Sequence, residues 1–409
     1  MSAISLDAFR QRVRDWLAAE APARGWLRDE SRSASAVRPK AGDADAIARY
    51  LARARECQQA LYDAGFAGIS WPTEYGGQGL TNREQVVFNE ESQDYDLPLI
   101  PYTIGLGMCG PTVLAVGTDA QKERHIRPML RGEEIWCQMF SEPGAGSDVA
   151  GLSTRAERDD DGWRINGQKV WTSGAHYCKW GMLLARTNVD VPKHRGLTMF
   201  IVDMEAPGVT VRPLRQMNGS SGFNEVFFDD LIVPVDAVLG GVDDGWRTSL
   251  VTLMNERVAI GAGRPTGEIP TAAALAELAT RRGLASDGDL ADSIADVYVR
   301  ERVLGLLSNR INAAILQDKA PGPEGSVAKL VATDLARRAA ALAVQIAGPA
   351  AQAWSADDPS GDHWAAVLLM TPGLSIAGGT DEIMRNILGE RVLGLPKEPR
   401  LDTGPVNRS

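Results

Sequence analysis

Gln138-Met139-Phe140-Ser141-Glu142-Pro143-Gly144-Ala145-Gly146-Ser147-Asp148 is the stretch from which the architecture can be worked out. It begins as a strand and runs into a glycine-rich loop with hydroxyls and free backbone N–H groups. Gly144-Ala145-Gly146 superficially matches a dinucleotide fingerprint. The third glycine is missing and no helical βαβ unit follows, so the Rossmann reading is rejected. Such a loop can approach a flat or phosphorylated ligand closely. A plain β-turn is the competing reading of this stretch alone.

Strand and turn patterns surround this loop. Trp163-Arg164-Ile165-Asn166-Gly167-Gln168-Lys169-Val170-Trp171 reads as two short strands about an Asn-Gly turn. Segments 181–186, 198–204, 209–213 and 225–231 read as further strands, giving a compact all-β unit of roughly 100 residues. In Lys169-Val170-Trp171-Thr172-Ser173-Gly174-Ala175, the tryptophan could stack on a ring system while the hydroxyls bond its edge. A buried strand tryptophan with turn hydroxyls is the alternative.

Helical patterns flank the β unit on both sides. Leu6, Phe9, Val13, Trp16 and Leu17 recur at helical spacing. Residues 28–42 read as a loop, 45–64 as a second amphipathic helix and 71–79 as a turn-rich break. Helices are expected over 82–94 and 104–116, and Thr118 caps another. From Gly245 to about residue 393 the chain reads as helical, with spacers at 264–270, 283–289, 320–325 and 357–363. The expected fold is α+β: an N-terminal helical domain over 1–135, a central β-barrel or sandwich domain over 136–240 and a C-terminal helical bundle over 241–409.

The 409 residues suffice for two or three domains with large cores. A net charge of −10 argues against nucleic-acid binding, which needs a positive footprint. No apolar run is long enough to span a membrane, and the N-terminus does not read as a secretory signal. Cys57, Cys109, Cys137 and Cys178 show no metal or disulfide spacing and read as reduced core thiols of a cytoplasmic protein. His176 and Cys178 share a loop but have no further metal ligands nearby. His125, His194 and His363 read as surface or structural residues, so no metal is expected.

Five stretches together resemble the acyl-CoA dehydrogenase family. They are Pro72-Thr73-Glu74-Tyr75-Gly76-Gly77, Gly117-Thr118-Asp119-Ala120-Gln121-Lys122, Ser141-Glu142-Pro143-Gly144-Ala145-Gly146-Ser147-Asp148, Gly167-Gln168-Lys169-Val170-Trp171-Thr172-Ser173-Gly174 and Gly378-Gly379-Thr380-Asp381-Glu382-Ile383. They occur in the family's order across nearly the whole chain. The resemblance implies a C-terminal four-helix bundle and FAD bound between bundle and β-domain. It implies that Gln138, Met139, Phe140, Ser141, Gly146 and Ser147 line the isoalloxazine, with Ser147 also near the pantetheine of an acyl-CoA substrate. Trp171, Thr172 and Ser173 would flank the flavin, with Ser173 near N5. Gln345, Thr380 and Glu382 match further FAD contacts. Arg257, Gly378 and Gly379 match positions at the substrate's thioester end.

The implied reaction takes a proton from Cα and a hydride from Cβ, the hydride going to flavin N5. A thioester only modestly acidifies Cα–H, so a desolvated carboxylate is needed. Many family members place it just before the Gly-Thr of the last motif, where this chain has Gly378. A minority place it on the helix after the β-domain, before an arginine. Glu256-Arg257 matches that arrangement, and Thr252, Leu253, Ala259 and Ile260 are its mostly apolar helical neighbours. A solvated Glu–Arg surface pair is the alternative. Gly378 keeps its backbone N–H as a donor to the thioester oxygen.

Two departures from the family pattern bear on assembly. Arg281-Arg282-Gly283-Leu284 stands where the family often carries Arg-x-x-Phe-Gly, and Gln345-Ile346-Ala347-Gly348-Pro349 replaces a second glycine with proline. Similar divergence occurs in actinobacterial-type members that act on steroid side chains or other bulky thioesters, some of them α2β2 heterotetramers. Three activities stay open at this stage. One is a dehydrogenase feeding an electron-transfer flavoprotein, as a homotetramer or α2β2 heterotetramer. The others are a non-catalytic or half-site subunit and an acyl-CoA oxidase of the same fold.

Overall fold

The computed structural model describes residues 5–21, 44–95, 97–160, 162–261, 269–317, 323–351 and 359–397. The expected loop at 28–42 lies outside them. Helix α1 (Leu6–Glu20) starts where the Ser5 side chain accepts the Ala8 N–H, and buries Phe9, Val13 and Leu17 at four-residue spacing. Helices α2 (Ala44–Asp63), α3 (Asn82–Glu91), α4 (Gly110–Val116) and α5 (Asp119–Leu130) follow. Thr81 with Glu84 and Thr118 with Gln121 form reciprocal capping boxes that satisfy the first N–H groups of α3 and α5. A single π-helical turn, Gly105–Cys109, runs into α4.

Eight strands form one sheet: β1 (Trp136–Met139), β2 (Arg155–Asp159), β3 (Gly162–Ser173), β4 (Trp180–Arg186), β5 (Leu197–Asp203), β6 (Val209–Leu214), β7 (Phe223–Val233) and β8 (Val238–Leu239). The order is β6-β7-β3-β2-β4-β5-β8, and β1 pairs in parallel with β4, Gln138 opposite Met182. The sheet carries its own core around Cys137, Leu183, Phe200 and Val226. Gln121 on α5 donates to the carbonyls of Asp236 and Val238 at 2.8 and 2.9 Å, joining the N-terminal helices to the end of the sheet.

The expected hairpin at Asn166-Gly167 is not there. β3 is one strand of 12 residues, and its turn to β2 lies before Gly162. Gly167 is a bulge: the register with β7 shifts between Ile165 and Gly167, and φ is 150°. A Cβ at Gly167 would lie 2.5 Å from the Thr154 hydroxyl. The glycine is there for that close approach, which an Asn-Gly pair cannot announce without knowing the neighbouring strand.

The C-terminal helices are α6 (Gly245–Gly261), α7 (Ala272–Arg281), α8 (Gly288–Leu316), α9 (Glu324–Ala347), α10 (Pro359–Leu374) and α11 (Asp381–Arg391). Helix α10 starts within the expected 357–363 spacer. Helix α9 is central, with contacts to each of the other five. Its alanine-rich inner face (Ala336, Ala339, Ala340, Ala343) lets them approach closely.

Candidate functional site

One buried ion pair holds the glycine-rich loop to β3. Lys169 Nζ lies 2.8 Å from Glu142 Oε1 and donates to the Phe140 carbonyl at 3.1 Å. Glu142 also accepts from the N–H and hydroxyl of Ser153 at 2.7 Å each, and from the Thr154 N–H at 2.9 Å. Burial by itself would raise the Glu142 pKa, but Lys169 and these donors hold it down at about 2. Burial pushes Lys169 down to about 8 against the pull of Glu142, so both are charged at neutral pH. The Val170 N–H donates to the Ser141 carbonyl at 2.9 Å, completing the join between the two sequence clusters.

The far end of the loop is held by Arg186, a buried guanidinium that donates to the carbonyls of Ala150, Leu152 and Lys193. Between these anchors Gly146 and Ser147 are exposed, and a Cβ at Gly144 or Gly146 would meet nothing within 4 Å. Gln138 and Ser141 are half-buried. Met139 and Phe140 point their side chains into the cores, leaving main-chain atoms as what these two positions offer.

A second irregularity of β3, between Lys169 and Thr172, turns Trp171 outward. Trp171 has φ 60° and is 59% exposed, in edge contact with Phe223 at 6.0 Å between ring centroids. The sequence left open a buried strand tryptophan, and the bulge removes that reading. Thr172 Oγ1 is buried with no hydrogen-bond partner, although the Thr172 carbonyl accepts from Asn224 Nδ2 at 2.9 Å. Ser173 is half-buried. A projecting indole, a half-buried Ser173 and open space at two loop glycines fit a flat ring system with polar edges, as an isoalloxazine is; the Thr172 hydroxyl is fully buried and turned away from such a ligand.

Glu256 stands on the inner side of α6. Gly245, Thr248, Ser249 and Thr252 form its buried stripe, while Leu250 and Met254 face outward. Glu256 is half-buried and one turn beyond Thr252, about 6 Å along the axis. Thr252 Oγ1 contacts the Thr112 hydroxyl at 3.1 Å and Met182 Sδ at 3.6 Å, and Met182 is the residue paired with Gln138. The helix bearing Glu256 is thus one side chain away from the strand that leads into the glycine-rich loop. The Arg257 side chain lies outside the described residues.

Gly378 and Gly379 sit at φ 68° and 90° in the loop before α11, and neither N–H has an acceptor among the described residues. The Thr380 hydroxyl caps α11 by accepting the Ile383 N–H at 3.2 Å. Helices α6 and α11 both pack on α9. Gln345 and Glu382 are exposed, and Glu382 pairs only loosely with Arg385 at 3.6 Å. Sequence reasoning missed Phe223 and Asn224 beside the Trp171-Thr172-Ser173 bulge; they lie just before the strand expected at 225–231, which in fact begins at Phe223. His176, considered for a metal, instead bonds Asn224 at 3.0 Å, and no metal-ligand cluster occurs among the described residues.

Comparison with known proteins agrees along the chain. Family descriptions match in order: acyl-CoA dehydrogenase N-terminal domain over 27–133, middle domain over 137–231 and C-terminal domain over 243–393. The chain is 37% identical over 382 residues to acyl-CoA dehydrogenase IpdE1 of Mycobacterium tuberculosis, covering 93% of this chain and 98% of that one. It is 39% identical over 358 residues to acyl-CoA dehydrogenase FadE34 of the same organism, covering 87% of this chain but only 48% of that longer protein. Among solved structures it resembles the Tcur3481-Tcur3483 steroid ACAD, with TM-score 0.79, 26% identity and coverage of 97% and 99%. The ChsE4-ChsE5 complex of Mycobacterium tuberculosis is similar at TM-score 0.76, 27% identity and coverage of 97% and 100%. With three family domains in order and full-length similarity to a curated member, this chain belongs to the acyl-CoA dehydrogenase family of oxidoreductases acting on acyl-CoA.

Proposed function

We propose that the chain binds FAD and converts an acyl-CoA to the trans-2-enoyl-CoA, with Glu256 as the base. One observation carries this reading: Glu256 is the carboxylate on the inner face of α6, and α6 shares its supporting helix with the loop of Gly378 and Gly379, whose N–H groups have no acceptor among the described residues. The loop 138–147 and the Trp171-Thr172-Ser173 bulge would hold the isoalloxazine, with the half-buried Ser173 at its edge and Thr172 offering main-chain atoms. When bound, FAD supplies the hydride acceptor.

Glu256 would take the Cα proton, and its half-buried setting limits competition from water. Gly378 and Gly379 would donate to the thioester oxygen as negative charge develops there. Ser147 is assigned to the pantetheine of the substrate and Arg257 to its thioester end. Thr380, Glu382 and Gln345 are assigned to the remainder of FAD. An electron-transfer flavoprotein would take the electrons away. By analogy with the steroid enzymes it resembles, the acyl group is a steroid side chain or another bulky chain, and the setting is cytoplasmic.

The test is anaerobic bleaching of the purified yellow protein by straight-chain, branched and steroid side-chain acyl-CoAs. Glu256→Gln is expected to keep FAD and lose flavin reduction by about 100- to 10,000-fold. Reduction at the wild-type rate in that variant would remove Glu256 as the base. A second reading, a half-site subunit of a heteromer, is favoured by the 48% span of FadE34 and by the outward-facing Gln345. It predicts a chain that purifies colourless alone and turns yellow only with a partner chain.

A further inference from the structure

Lys329 is a buried lysine with no part in the chemistry above. It lies in the second turn of α9 with 8% of its side chain exposed. Its ammonium donates to Asp381 Oδ1 at 2.8 Å and to the Ser375 carbonyl at 3.3 Å. The Thr333 hydroxyl, one turn on, donates to the same carboxylate oxygen at 3.1 Å, and the Asp381 N–H returns to the Ser375 carbonyl at 3.0 Å. Burial alone would raise the Asp381 pKa; Lys329 and Thr333 reverse this and keep it below its usual value, so the carboxylate stays charged.

Ser375 and Asp381 flank the five-residue loop 376–380, which carries Gly378 and Gly379. One ammonium therefore holds both ends of that loop. Both glycines have positive φ, so the backbone path between those ends is open to other courses unless it is pinned. A buried lysine–carboxylate pair contributes little net stability, because desolvation offsets the attraction, but it fixes geometry closely. The element it pins the loop to is α9, the same helix on which α6, the helix of Glu256, packs.

We propose that Lys329 is a positioning residue: by holding both ends of loop 376–380 on α9, it sets where the Gly378 and Gly379 N–H groups meet the substrate carbonyl oxygen. This rests on the dehydrogenase reading above. An error of about 1 Å in such a donor costs on the order of 100-fold in rate. Loosening the loop weakens stabilisation of the enolate-like state, and the same loss raises the pH at which a bound acyl-CoA gives up its Cα proton.

The experiment uses FAD-loaded protein and the 3-thia analogue of whichever acyl-CoA bleaches the wild-type flavin. That analogue gives up its Cα proton but has no β-hydrogen to transfer. Its deprotonation is followed through its long-wavelength absorption with the flavin. Lys329→Met is expected to load FAD, leave KM within about threefold, lower kcat about tenfold and raise the deprotonation midpoint by about one pH unit. Lys329→Arg is expected to restore most of both. A Lys329→Met protein that loads FAD with the wild-type midpoint and kcat overturns the proposal. Should Lys329→Met fail to fold, Asp381→Asn decides, since it keeps the side-chain shape and removes the charge that the Lys329 ammonium holds. A raised midpoint there supports the proposal, and an unchanged one overturns it. If no acyl-CoA bleaches the wild-type flavin, the dehydrogenase reading fails before any variant is compared, and this proposal fails with it.

Discussion

Lys169 and Glu142 form an ion pair in a place that water does not reach, and removing either leaves the other stranded. Lys169→Met is expected to destabilise the protein by about 3–5 kcal/mol, measured by urea unfolding, because an uncompensated carboxylate remains buried. Glu142 also gives the protein a definite acid limb. Its folded pKa, about 2, is below its ordinary value of 4.5, so its contribution is complete above pH 4.5 and is lost as pH falls towards 2. In Glu142→Gln the urea midpoint should be lower at pH 7 and should fall less steeply between pH 4.5 and 2. A wild-type slope in that window would remove the carboxylate from this role. Both residues were visible in the motifs, but their pairing was not. They are 27 positions apart, and only the return of β3 to the loop brings them together.

At the scale of elements, the entry into α6 decides where Glu256 points. Asp243 adopts a left-handed conformation at φ 63°; its N–H donates to Thr198 Oγ1 at 2.9 Å and its carboxylate accepts from the Thr187 hydroxyl at 2.6 Å. Two residues later a Cβ at Gly245 would lie 2.7 Å from the Thr198 backbone. Gly245→Ala must therefore push the start of α6 off β5. The expected cost is about 1–3 kcal/mol in thermal or urea unfolding, with kcat falling more than FAD content. Unchanged unfolding would mean that α6 tolerates the shift. The helix itself was legible from its sequence, as were most strands. The misread Asn166-Gly167 turn shows the limit: the dipeptide favours positive φ, and a bulge against Thr154 uses that freedom as well as a hairpin does.

Over the whole molecule, α8 is apolar on two sides. Leu290, Val297 and Ile311 face the bundle, whereas Val299, Val303 and Leu306 are exposed at 55%, 42% and 64%. If the chain assembles as the multimeric reading holds, this second stripe is covered by another chain. The protein should then sediment as more than one chain, and Leu306→Lys should shift it towards a single chain; sedimentation of the wild type as a monomer would count against assembly through α8. The sequence by itself determined the order of helices, sheet and helices, and the candidate base. The order follows from local periodicity and turn chemistry, which act over a few residues, and the candidate base from the resemblance that the short motifs carry. Only the tertiary structure decided that Trp171 projects and Met139 is buried, that Lys169 closes on Glu142, and that Lys329 holds the loop of Gly378. Each of those depends on residues 27 to more than 50 positions apart, or on a strand register, and chain-distant contacts leave no periodic trace in the sequence.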